Sequence, residues 1–146
     1  MCSSDPDSLI AGTADILAVR RRDSTLILGD YKTNEHIDAT ARYKNRALPP
    51  YNHLDDCHLT RYSMQLHLYA YILRAHYLDP SDSLELILIH LAPDNPEPQW
   101  IQLQDMSAEA NDIMRRRRER LAMVVTGVRE MTAAGRFQDV AAERVI

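Results

Sequence analysis

Ile10-Ala-Gly-Thr-Ala-Asp15-Ile-Leu17 and Leu26-Ile-Leu-Gly-Asp30-Tyr-Lys32-Thr33 are the two stretches on which the fold turns. Both have the composition of strands, and each carries one acid. Side chains alternate faces along a strand, so Asp30 and Lys32 must point the same way. Between the two stretches, Arg20-Arg-Arg-Asp-Ser24 has the length and polarity of a hairpin turn. The strands are therefore expected to pair antiparallel, with Asp15, late in the first, brought opposite Asp30. Leu26, Ile27 and Leu28 run without interruption into Gly29-Asp30, the pattern of a buried strand ending in charge. Such charge is costly unless paired or bound to a metal. Facing carboxylates suit a hard cation such as Mg²⁺ or Mn²⁺. A neighbouring lysine can then steady charge on a phosphate or orient an attacking water, which suggests metal-assisted phosphodiester hydrolysis. A solvated pair of cross-strand charges is the competing reading of an Asp-x-Lys tripeptide.

The rest of the chain sets bounds on that reading. Its 146 residues, read as one domain over 1–146, whole or partial, have 45% hydrophobic content, enough for a core. No apolar run approaches the roughly 20 residues of a membrane span, and Cys2-Ser-Ser-Asp-Pro-Asp7 has no secretory character. No membrane partner is expected, and a cytoplasmic setting is. Cys2 and Cys57 lack CxxC spacing and are read as free thiols. The formal net charge of −4 is unhelpful for nucleic acid as an average, but the cations cluster. Arg20, Arg21 and Arg22 in the turn, with Lys44 and Arg61, are the candidate phosphate contacts. Arg115 to Arg118 with Arg120 form a second block, either a phosphate patch or a solvated helix face offset by Glu119 and its neighbours.

A polar segment from Asn34 to Leu59, with a short helix expected near Ala39 to Lys44, separates the hairpin from a helix over Thr60 to Leu78. Met64, Leu68, Tyr71 and Ala75 trace one stripe of that helix and Leu66, Ala70, Leu73 and Tyr77 a second, so it is largely buried. Asp79-Pro80 ends it. Strands follow at Leu84 to Leu91 and Gln99 to Leu103. Ser107 is the expected N-cap of a last helix in which Ala110, Ile113, Met114, Leu121, Val124, Val125, Val128 and Met131 keep helical spacing. The order strand, strand, loop, helix, strand, strand, helix implies a mixed sheet with helices packed on it, an α/β class in the broad α+β sense.

The long helix also carries Gln65-Leu-His-Leu-Tyr69, which places an amide and a phenol on one helical face. Alone, the pair reads as a satisfied core tyrosine beside a loop-bonding glutamine. Taken in order, Gly12-x-x-Asp15, Asp30-Tyr31-Lys32 and Gln65-x-x-x-Tyr69 resemble the PD-(D/E)xK nuclease superfamily, and most nearly its RecB-like exonuclease branch, which has phage and CRISPR-associated members. The resemblance runs from about Ile10 to Tyr77. It implies a restriction-endonuclease-like mixed central sheet flanked by helices, and a Mg²⁺- or Mn²⁺-dependent deoxyribonuclease acting in replication, recombination or repair in a bacterium or a phage-infected cell. Asp15 and Asp30 would ligate the metal, with the Tyr31 backbone carbonyl as a further ligand. Lys32 would position water or stabilise the pentacovalent phosphate, while Gln65 and Tyr69 organise the site and Tyr69 contacts DNA.

The chain departs from the pattern before the first motif, where relatives carry a helix and a strand. Eight residues precede Leu9, so both elements are expected to be lacking here. They would be supplied by a larger nuclease, by another subunit of a helicase–nuclease or phage assembly, or lost along with activity. The cysteines that hold an iron–sulfur cluster in some relatives are missing, and no cluster is expected. His53, Asp55, Asp56, Cys57 and His58 mix metal-ligand types, but no second ligand group stands at zinc spacing, so they are read as a substrate-facing loop.

Overall fold

A computed structural model of the protein describes residues 2–41 and 45–133. Cys2–Asp5 (β1) pairs antiparallel with Ile10–Thr13 (β2) in a two-stranded sheet. Ile16–Arg20 (β3), Thr25–Lys32 (β4), Leu84–His90 (β5) and Gln99–Ile101 (β6) form a second sheet in the order β3-β4-β5-β6. Its outer pairs are antiparallel, while β4 and β5 run parallel. A parallel pair needs a crossover, and His58–His76 (α1) supplies it. Ser107–Ala133 (α2) completes the order. The protein is thus of mixed α and β class, with a mixed sheet flanked by helices. No helix among the described residues is long and apolar enough to cross a membrane.

The hairpin forms at the expected turn. Arg20 pairs with Thr25, the Arg20 carbonyl accepts the Ser24 amide at 2.9 Å, and Asp23 Oδ1 accepts the Thr25 amide at 3.1 Å. Ser24 takes φ 58°, the left-handed conformation needed to turn the chain back.

The first stretch, however, is not one strand. It leaves β2 at Thr13 and resumes in a different sheet at Ile16, with buried Ala14 and exposed Asp15 forming the corner. A strand also precedes it, contrary to expectation. Cys-Ser-Ser-Asp has no apolar alternation to announce a strand, and β1 is instead fixed by charge. Asp5 is fully buried and meets His76 Nε2 at 2.8 Å and Arg118 at 3.1 Å.

Leu28 and Leu88 from the sheet, Leu66, Ala70 and Leu73 from α1, and Ala14 make one apolar cluster. Each leucine so buried contributes about 1.5–3 kcal/mol. Of the two helical stripes, the Leu66–Ala70–Leu73 one enters this core, while Met64, Leu68 and Tyr71 are half-buried. α1 also packs against α2, whose Ala110 and Met114 are buried. Beyond that contact the regular spacing of α2 continues without cover from the described residues: Val124, Val125, Val128 and Met131 are exposed.

Element ends shift slightly from expectation. α1 begins at His58 because the Asp38 carbonyl accepts the Leu59 amide at 3.0 Å, fastening the first turn to the preceding loop. α2 begins with Ser107 already inside the helix rather than at its cap: the Met106 carbonyl accepts the Ala110 amide at 2.9 Å, and Asp105 Oδ1 accepts the Ser107 amide at 3.0 Å. Residues 39–41 are not helical, and the remainder of the short helix expected there, with Lys44, lies outside the described residues.

Candidate active site

The sheet ladder between β3 and β4 stops at Ile16 opposite Gly29, and the site begins where it stops. The next free donor on β4, the Tyr31 amide, bonds to Asp15 Oδ2 at 3.0 Å. Breaking the first strand is therefore what turns the Asp15 carboxylate toward β4. Residues of a strand direct N–H and C=O to the same edge. The Tyr31 carbonyl accordingly lies on the Asp15 edge of β4, while the Lys32 carbonyl lies on the other and accepts the Leu91 amide at 2.8 Å.

Asp30 and Lys32 share the face that looks toward α1, as period-two alternation requires, and their side chains form an ion pair. α1 then brings Gln65 to the lysine: Nζ donates to Gln65 Oε1 at 3.2 Å, and Gln65 Nε2 donates to the Tyr69 hydroxyl at 3.0 Å. Five side chains from the β2–β3 corner, β4 and α1 thus form a continuous polar succession at the carboxyl end of two parallel strands. Open sheets with parallel strands place ligands there. Gly12 completes the arrangement, since a Cβ at that position would stand 2.7 Å from Tyr69 Cζ and 2.9 Å from its hydroxyl. Only a glycine admits the phenol there.

The two acids are not equivalent. Burial pushes the Asp30 carboxyl up; a hydrogen bond from Lys32 draws it back, neighbouring Asp15 opposes that, and the net shift is upward. Asp15 is held below the usual range, first by the Tyr31 amide and then by its hydrogen bond with Asp30. Of the two, Asp30 is the harder to ionise. Asp30 Oδ2 is buried and lies against the Lys32 ammonium.

Other candidate residues lie apart from this centre. Arg20, Arg21 and Arg22 are at the opposite end of β4, five residue pairs and roughly 17 Å away. Arg20 is engaged by Asp23 and Glu85, and Arg22 by Asp23, while Arg21 is exposed. Arg61 stands one turn before Gln65 on α1 and pairs with Asp56 at 2.7 Å. In the loop cluster, His53 meets Glu109, Asp55 meets Arg46, His58 meets Asp38, and buried Cys57 contacts Thr60. Each takes its own partner, and no group of three or more His, Cys, Asp or Glu able to hold a metal occurs among the described residues. Arg115 and Arg116 pair with Asp112 within their helix, and Arg115 also with Glu119, whereas Arg117 and Arg118 reach Ser8 and Asp5 near the amino terminus. A cleft of about 590 Å³ between α1, β5 and α2 is lined by none of the candidate residues.

Sequence reading missed three residues around Lys32. The Tyr62 ring lies 4.6 Å from its ammonium, Asn34 hydrogen-bonds the Tyr62 hydroxyl, and buried His90 donates through Nε2 to the Asn34 carbonyl at 2.7 Å. One signal was available: Tyr62 precedes Gln65 by three and Tyr69 by seven, so all three share a helical face.

Comparison of the chain with protein-family models, with curated proteins and with solved structures finds no match. The functional reading rests on the geometry of these side chains.

Proposed function

We propose that this protein is a divalent-metal-dependent DNA nuclease, exonuclease-like in character. The observation that supports it is the unbroken succession Asp15–Asp30–Lys32–Gln65–Tyr69, drawn from separate elements into one polar centre at a strand end. The donor set fits Mg²⁺ or Mn²⁺: two carboxylates, one with a buried oxygen that lies against an ammonium, with the Tyr31 carbonyl on the Asp15 edge. Such cations are commonly held by one or two carboxylates, with water and substrate phosphate completing the shell. A bound metal supplies a nucleophilic water and neutralises charge on the phosphate. Lys32 would meet the negative charge that builds on the phosphate during attack. Gln65 holds the lysine from behind, and Tyr69 holds the glutamine.

Purified protein is expected to degrade DNA with Mn²⁺ or Mg²⁺ and to stop on chelation. Asp30→Ala and Lys32→Ala should each reduce the rate by about a hundredfold or more without unfolding the protein. Cleavage that persists undiminished in both variants sinks the reading.

A second reading is a nuclease-fold module that binds DNA or a protein partner without hydrolysis. The direct Asp30–Lys32 ion pair favours it, because the lysine occupies the oxygen a metal would need. It predicts salt-dependent DNA binding with no cleavage under either metal.

A further inference from the structure

The Lys32 ammonium is bounded on three sides. Asp30 supplies a carboxylate, Gln65 Oε1 accepts at 3.2 Å, and the face of the Tyr62 ring stands 4.6 Å away. The first contact is the one a cation held by Asp30 would compete for, since it would need the same oxygen. What keeps the lysine at the site afterwards is the amide and the ring. A neutral amide is one acceptor, whereas a ring face attracts a cation over a wide area without fixing its direction. That combination lets the ammonium swing from carboxylate to phosphate while staying within the centre.

The ring itself is not free to follow. Asn34 Nδ2 donates to the Tyr62 hydroxyl at 2.8 Å, and that hydroxyl lies 3.0 Å from Asn34 Oδ1. His58 stacks on the ring at 5.9 Å with planes 8° apart. Asn34 is in turn tied to β5 through His90. Lys32 also stands directly opposite His90 in the β4–β5 register, so the residue being positioned and the support of its positioner share one rung of the sheet.

We infer that Tyr62 is a positioning residue that holds the Lys32 ammonium at the centre through its ring face, a role that deepens the nuclease reading and, for its kinetic part, rests on it. The role differs from core packing, which Tyr62 also serves through its contact with the apolar cluster. Packing depends on ring shape, whereas attraction for the ammonium depends on ring electrons.

Two measurements separate these. Replacing Tyr62 with phenylalanine and then with singly, doubly and triply fluorinated phenylalanines keeps shape nearly constant while weakening the ring's negative face. Taken from Tyr62→Phe onward, where the hydroxyl contact to Asn34 is already gone, the rate constant kcat for metal-dependent DNA cleavage should fall stepwise as fluorine is added, by about tenfold in all, with KM and melting temperature unchanged. A flat series overturns the role. Independently of cleavage, the ε-methylene protons of Lys32 in the wild-type protein should resonate upfield from the ring current and return to the ordinary position in Tyr62→Leu. An unshifted wild-type resonance overturns the contact. If the wild-type protein cleaves no DNA, the nuclease reading falls with the kinetic role, and the resonance alone decides whether Tyr62 holds Lys32.

Discussion

The phenol of Tyr69 lies directly over Gly12: a methyl group at residue 12 would stand 2.9 Å from the Tyr69 hydroxyl and 2.7 Å from Cζ. A glycine three residues before Asp15 thereby sets the position of a tyrosine on α1. The Tyr69 hydroxyl accepts from Gln65, and Gln65 accepts from Lys32, so the same contact extends to the ammonium at the centre.

Gly12→Ala should therefore disturb the site more than the fold. The ring cannot bend away, so it must shift as a body and release Gln65. Overpacking of this kind costs about 1–3 kcal/mol, measurable in urea unfolding. Under the proposed function, kcat should fall more than tenfold while metal affinity, set by Asp15 and Asp30, holds. A variant with wild-type kcat would show that Tyr69 has no part in placing Lys32.

Asp30→Asn tests the metal and the buried acid together. A carboxyl raised above its unfolded value contributes stability below that value and loses it as pH rises through the folded one. The melting temperature of the variant relative to wild type should accordingly improve as pH rises above about 4. Mn²⁺ at a hundred times its dissociation constant should stabilise the wild-type protein by about 2.7 kcal/mol and leave Asp30→Asn unchanged. Equal stabilisation of both proteins would place the cation elsewhere.

The sequence made the Asp30–Lys32 relationship legible because period two is a property of any strand. It also revealed the hairpin, since the polar turn sits between two apolar runs. The corner at Ala14–Asp15 was not legible: Ile10 to Leu17 reads as a continuous strand, and only the rival pairing with β1 breaks it. β1 itself was hidden because its anchor is a buried carboxylate paired with residues far along the chain, His76 and Arg118. Tyr62 and Asn34 were missed for a related reason, as both acquire their place only when α1 returns over β4. Short-range periodicity reports faces, whereas these contacts depend on which faces meet.

The turn arginines divide by partner, and DNA binding should divide with them. Arg20 is engaged by Asp23 and Glu85, so Arg20→Gln should chiefly loosen the hairpin. Arg21 is exposed, so Arg21→Gln should leave melting unchanged. If DNA extends from the centre to the turn, Arg21→Gln also reduces the slope of log affinity against log salt by about one. An unchanged slope would confine the DNA path to the carboxyl end of β4, roughly 17 Å away.

Arg118 and Asp5 govern the acid limit of stability. Burial pushes the Asp5 carboxyl up, but hydrogen bonds from Ser8, His76 and Arg118 together outweigh it, and the net shift is downward. A lowered carboxyl contributes stability that is present above its unfolded value, near 3.8, and is lost as pH falls through the folded value. Acid unfolding of the wild-type protein should thus steepen below about pH 4. In Asp5→Asn that limb should flatten, while neutral stability drops because Arg118 and His76 lose their anion. Arg118→Met should be the more damaging change, about 3 kcal/mol, since it removes the guanidinium from a fully buried carboxylate and leaves it the hydrogen bond to His76 Nε2 at 2.8 Å. Urea unfolding at pH 7 and pH 4 measures both effects. An Arg118→Met protein as stable as wild type would mean that the Asp5–Arg118 pair does not hold β1 in place.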